Sequence, residues 1–131
     1  EREGFLLKRT KDERAELLLS AYGAWFEGAG LAGLASLELE RYRQERLAEV
    51  VGLYSITRFK GQGVGKRILD HLVQVARGRR CRALFACSSE AEALAFFVRN
   101  GSHAVAPERL PAAKWQGRRR RRPSTVLWRQ L

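Results

Sequence analysis

The spacing of apolar and polar residues changes period several times along the chain. Gly4 to Lys8 (Gly-Phe-Leu-Leu-Lys) reads as a short extended segment. Thr10-Lys-Asp-Glu13 follows as a capping box, in which the hydroxyl accepts a backbone N–H and the Glu reaches back, so a short helix is expected to about Leu18. Three strand-like runs come next: Ser20 to Glu27 with Tyr22, Trp25 and Phe26, Leu31 to Leu39, and Ala48 to Ile56. Glycines near residue 30 and the charged tip "ERYRQER" mark the turns, which predicts an antiparallel meander. Beyond a glycine-rich stretch, Ile68, Leu69, Leu72, Val73 and Ala76 recur at three-to-four spacing, the mark of an amphipathic helix ending near Gly78. Arg82 to Cys87 is a continuous apolar run of strand length, suited to a buried strand. Ser88 or Ser89 is placed to cap a second helix carrying Ala91, Leu94, Ala95, Phe97 and Val98, and Asn100-Gly101 can end it in a left-handed conformation. Extended pieces near Ala104 to Ala106 and Thr125 to Trp128 close the chain. The order predicts an α/β domain: a mixed, mainly antiparallel sheet flanked by helices.

Composition narrows the class. A chain of 131 residues makes one domain, residues 1–131, with a single real core. No run of 18 apolar residues occurs, so no membrane span is expected, and the charged N-terminus lacks a signal-peptide layout. Cys81 and Cys87 form neither a metal pattern nor a CxxC pair; both read as reduced thiols of a cytoplasmic protein, and no metal is expected. The chain begins with Glu and contains no Met, which points to a piece of a longer polypeptide. Its formal charge of +11 attracts polyanions and small acidic ligands alike. The unbroken run Arg118 to Arg122 keeps nucleic acid in view. The aromatic residues show no stacking signature, which disfavours that reading.

The candidate chemistry lies in "FKGQGVGKRIL", Phe59 to Leu69. A P-loop requires G-x-x-x-x-G-K-[ST]; here Lys60 stands where the first Gly belongs and Arg67 where the Mg²⁺-binding hydroxyl belongs. The dinucleotide fingerprint G-x-G-x-x-G, begun at Gly61 and Gly63, fails at Lys66, and a meander is the wrong context. The pattern [Q/R]-x-x-G-x-[G/A] between a strand and a helix does fit, as Lys60-Gly-Gln-Gly63-Val-Gly65, with Lys keeping a cationic donor at the first position. This resembles the acetyl-CoA loop of the GNAT N-acetyltransferases. The resemblance implies that the coenzyme A diphosphate sits on the backbone from Gly61 through Gln62, Gly63, Val64 and Gly65 to Lys66, where glycines turn amides inward and the helix N-terminus adds partial positive charge.

The tail carries a narrower similarity. Leu110-Pro-Ala-Ala-Lys114, the basic stretch and Arg122-Pro-Ser124 look like the C-terminal segment of bacterial N-acetylglutamate synthases, the first enzymes of arginine biosynthesis. Gly4 to Thr10, "AEVVGLYSITRFKGQGVG" and "LFACSS" are similar to other segments of that family. The family's usual first strand and helix would lie before Glu1. The resemblance implies acetyl transfer from acetyl-CoA, as cosubstrate, to the α-amine of L-glutamate. It also implies site residues. Lys8, standing where the family has Arg (Arg9 is the alternative), Arg122 and Ser124 would hold glutamate, since forked cations suit carboxylates. Glu49 would take the amine proton, often through water. A strand N–H among Leu53, Tyr54 and Ser55 would stabilise the developing oxyanion. Ser88 would serve the leaving thiolate, unless it only caps the helix; the Tyr that many relatives use is Phe97 here. His71 and His103 read as bystanders and Cys87 as core. Three alternatives stay open: another small amine or a protein N-terminus as acceptor, a basic nucleic-acid-binding module, and a regulatory domain without catalysis. A homo-oligomer and a fused kinase-like domain are open as partners.

Overall fold

A computed structural model describes residues 5–10, 19–26, 30–55, 63–115 and 124–131. The elements run β1 (Phe5–Thr10), β2 (Leu19–Phe26), β3 (Gly30–Glu38), β4 (Leu47–Ser55), α1 (Val64–Gly78), β5 (Ala83–Ser88), α2 (Ala91–Arg99), β6 (His103–Val105), a 3-10 turn (Pro107–Arg109), α3 (Ala112–Trp115) and β7 (Thr125–Gln130). All strands join one seven-stranded sheet in the order β1-β2-β3-β4-β5-β7-β6. Every neighbouring pair is antiparallel except β4 and β5, which α1 connects as a crossover. The α/β class and the mainly antiparallel sheet expected from the sequence are therefore present. The helix expected before Leu18 lies outside the described residues.

Period-two alternation gives the sheet two unlike faces. Ala35, Leu37, Ala48, Val50, Leu84, Ala86 and Leu127 point to one side, where they meet Ile68, Leu69, Leu72 and Ala76 of α1 and Phe97 of α2. α1 is amphipathic at helical spacing, and six of its residues are buried on the side toward the sheet. The close approach needs room. A Cβ on Gly33 would stand 2.7 Å from Ile68 Cδ1 and 2.7 Å from the carbonyl oxygen of Tyr54. The other face collects Tyr42, Leu47, Ala83, Phe85, Leu110, Val126 and Trp128 in a second cluster. Arg82 and Arg109 stack on the Trp128 ring, with guanidinium carbons 5.5 and 4.7 Å from its centroid.

The second helix differs in detail from expectation. Its N-cap is Glu90, not Ser88 or Ser89; Ser88 Oγ instead accepts the N–H of Glu90 at 3.1 Å from two residues back. Val98 faces solvent, whereas Leu94 and Phe96 pack inward, because a nine-residue helix lying across the sheet edge presents only a narrow stripe. Gly101, at φ 100°, ends the helix in the region that glycine favours.

Candidate active site

β4 makes the site. Along its β3 side it is paired from Glu49 to Ser55. Along its β5 side it is paired only from Leu47 to Glu49, opposite Ala83 to Phe85. Beyond that point the parallel strands part, and among the described residues the outward backbone groups of Val50 to Ser55 have no strand partner on that side. An open edge in the middle of a sheet is a place for an amide-bearing chain to add itself as a partial strand. Glu49 is the last β4 residue paired to β5, so it stands at the vertex of the gap. Leu53, Tyr54 and Ser55, expected to supply an oxyanion donor, lie on its open part. Tyr54 is mostly exposed, and its ring folds back over Gly52.

The glycine loop leads into α1 at the mouth of this gap. Gly63 is the N-cap, with φ 73°, a left-handed conformation that costs a residue with a Cβ about 1–2 kcal/mol. The Arg67 N–H bonds to the Gly63 carbonyl at 3.1 Å, which leaves the amides of Val64, Gly65 and Lys66 without intrahelical partners. No acid sits in the first turn, and no side chain caps it. A Cβ at Gly65 would meet the Phe96 ring of α2 at 3.2 Å, a tight contact where the helix start, α2 and Leu53 of β4 converge. Val64 is buried and pins the turn to the sheet. These features fit a diphosphate: three amides at the positive end of a helix dipole, with no competing anion. Lys66 lies one turn along, its Nζ 2.9 Å from Asp70 on the exposed face. Lys60, Gly61 and Gln62 lie outside the described residues.

Glu49, expected to take the amine proton, is a buried and fully engaged carboxylate. It is 6% exposed, and both oxygens are held. Oε1 accepts the Tyr42 hydroxyl at 2.9 Å, and Oε2 accepts the Lys114 ammonium at 2.5 Å. Lys114 is itself buried, so the Leu-Pro-x-x-Lys element of the tail reaches back 65 residues and locks α3 onto the sheet at the vertex. Neither Tyr42 nor Lys114 was assigned a role by sequence reasoning; the fixed position of Lys114 after Leu110-Pro111 was the signal available.

Glu38 is the third member of this cluster and was also missed. It is the Cα partner of Glu49 across β3 and β4, and both carboxylates project to the face opposite α1. Glu38 is buried, and burial pushes its carboxyl up; the backbone N–H and guanidinium of Arg41 pull it down, while Glu49 and Glu40 push it further up. Its only signal in the sequence was an acid at the inward phase of an apolar strand.

The remaining expected residues are spread out. Ser88 ends β5, on the far side of the gap from β4, and alternation turns it to the face opposite Glu49. Ser124 immediately precedes Thr125, the partner of Ser88, so the two serines share one end of the β5–β7 pair. Lys8 lies in β1, the edge strand, three strands from β4. Arg122 lies outside the described residues. His71 sits edge-on to Tyr22 at 5.2 Å within the α1 face. Among the described residues no three of His, Cys, Asp or Glu are grouped as metal ligands would be. No helix among them is long and apolar enough to cross a membrane.

Known proteins agree with this geometry. The chain is similar over 98% of its length to the N-acetylglutamate synthase of Neisseria gonorrhoeae, solved with coenzyme A and N-acetyl-glutamate, at 26% identity and a TM-score of 0.78; it spans 30% of that longer chain. An acetyltransferase of Bacillus subtilis in complex with CoA matches with a TM-score of 0.72 at 15% identity, covering 97% of this chain and 99% of that one. The IAA acetyltransferase of Bacillus cereus matches with a TM-score of 0.71 at 17% identity, with the same coverage. These last two establish the fold alone. No curated protein matches by sequence. The model of the acetyltransferase (GNAT) family matches residues 2–101, the stretch that holds the parted strands, the glycine turn and both long helices, and the chain thus belongs to the GNAT acetyltransferases.

Proposed function

We propose that this acetyltransferase moves the acetyl group of acetyl-CoA to the α-amine of L-glutamate. The observation that carries the reading is the likeness to the Neisseria N-acetylglutamate synthase across 98% of the chain, strengthened by the tail element whose Lys114 is tied to Glu49 at the gap. On this reading the diphosphate rests on the amides of the α1 start. The amide-bearing arm of coenzyme A lies along the open edge of β4 and brings the thioester into the gap. A β4 N–H among Leu53, Tyr54 and Ser55 steadies the carbonyl oxygen as charge develops there. Ser88 and Ser124 stand across the gap, Ser88 for the leaving thiolate and Ser124, with Arg122 and Lys8, for the glutamate carboxylates.

The test is release of free thiol from acetyl-CoA in the presence of single amino acids. Turnover with glutamate, lost in Arg122→Ala, supports the assignment. Turnover with other amines but not glutamate moves the acceptor within the same fold. The placement of Lys8 on the edge strand, three strands from β4, favours that second reading.

A further inference from the structure

Buried polar atoms without partners are rare in folded proteins, and each calls for an explanation. Glu38 Oε2 is such an atom: it is buried and has no hydrogen-bond partner among the described residues. Its neighbour Glu49 is the opposite case, with both oxygens engaged by Tyr42 and Lys114. The two carboxylates are register partners on one face, so their Cβ atoms are about 5 Å apart. Glu49 marks the vertex of the gap, which puts Glu38 within a side-chain length of it. Among the described residues, the buried charged groups here are Glu38, Glu49 and Lys114, and the Arg41 guanidinium acts on Glu38 from an exposed position.

We propose that Glu38 Oε2 is the atom that takes the proton from the acceptor amine, and that Glu49, fixed by Tyr42 and Lys114, is a positioning residue that holds the vertex in shape. The inference rests on the acetyl-transfer reading above. An acceptor ammonium at the vertex would bring a positive group to the bare Oε2 of Glu38. It gives one proton to Glu38, and the neutral nitrogen then attacks the thioester carbonyl. The C–N bond forms and the C–S bond breaks. The second nitrogen proton ends on the departing sulfur, and Glu38 returns its own proton to solvent. A carboxylate that burial has made more basic suits this task better than one already saturated by a phenol and an ammonium. Arg41 and Glu40 on the turn after β3, and Glu49 on β4, are the charged groups that act on it.

The experiment compares the wild type with Glu38→Gln and Glu38→Asp by thiol release from acetyl-CoA across the acid-to-neutral range, with the panel of amino acids as acceptors. Glu38→Gln is expected to lower kcat by about 10²-fold or more, to leave the KM for acetyl-CoA unchanged, and to abolish the acidic limb of the kcat/KM profile. Glu38→Asp keeps a carboxylate and is expected to retain the limb at a reduced rate. A Glu38→Gln enzyme with wild-type kcat and an unaltered acidic limb overturns the proposal. Should no amino acid support turnover, the glutamate reading fails on its own. The same comparison is then made on hydrolysis of acetyl-CoA, with water as acceptor and proton donor: loss of the limb in Glu38→Gln supports the proposal and an unchanged limb overturns it. Should Glu38→Gln not fold, Glu38→Asp carries the test, a wild-type rate and profile counting against.

Discussion

The two faces of the sheet are held by different physics. On the α1 side the core contacts are apolar: Ile68, Leu69, Leu72 and Ala76 press on Ala35, Leu37, Ala48 and Val50, and Gly33 lets the helix come close. On the other side an apolar cluster around Phe85 and Trp128 adjoins a set of buried charges, Glu38, Glu49 and Lys114, with the Tyr42 hydroxyl among them. The first face needs only the right volume. The second needs partners, and it places them where β4 and β5 part. A plain apolar face supports the glycine turn, and a charged face lies behind the vertex.

Breaking the charged face is expected to have the largest effect. Lys114→Met leaves Glu49 buried without its cation and is expected to cost about 3–5 kcal/mol, read as a lower urea midpoint with an unchanged slope. A midpoint within error of wild type would show that the pair is not part of the folded core. On the apolar face, Leu72→Ala removes a fully buried side chain and is expected to cost about 2–5 kcal/mol in the same measurement. Gly33→Ala drives a methyl against the Tyr54 carbonyl and Ile68, and a loss of about 1–3 kcal/mol is expected, together with weaker acetyl-CoA binding as α1 shifts. The smallest effect runs the other way. Because burial raises the Glu38 carboxyl in the folded state, its contribution to stability is in full below the unfolded carboxylate range and is lost as pH rises through the folded value. Glu38→Gln does not titrate, so its melting temperature relative to wild type is expected to rise from acid to neutral pH. A difference independent of pH would contradict the placement of Glu38.

The α1 face was legible in the sequence and the charged face was not. Ile68, Leu69, Leu72, Val73 and Ala76 announce a helix by spacing alone, and the alternation in β3, β4 and β5 announces strands, since both signals are local. The glycine turn was legible for the same reason: Gly63 and Gly65 sit beside the helix they begin. Glu49 could be singled out as an acid in an apolar run, but not its bonds to Tyr42 and to Lys114, which lies 65 residues away. Glu38 was hidden further, because only the register of β3 against β4, shifted by an irregularity at Ser36 and Leu37, brings it opposite Glu49. The N-cap at Glu90 in place of a serine reflects a local bond, Ser88 Oγ to the Glu90 N–H, that competes with the expected cap.

The most direct measurement gives the full chain acetyl-CoA together with a mixture of the common amino acids and identifies the acetylated product by mass spectrometry. The account predicts N-acetylglutamate as the dominant product, formed together with free coenzyme A. Acetylation of a different amine, or none while acetyl-CoA binds, would contradict the assignment of glutamate as acceptor.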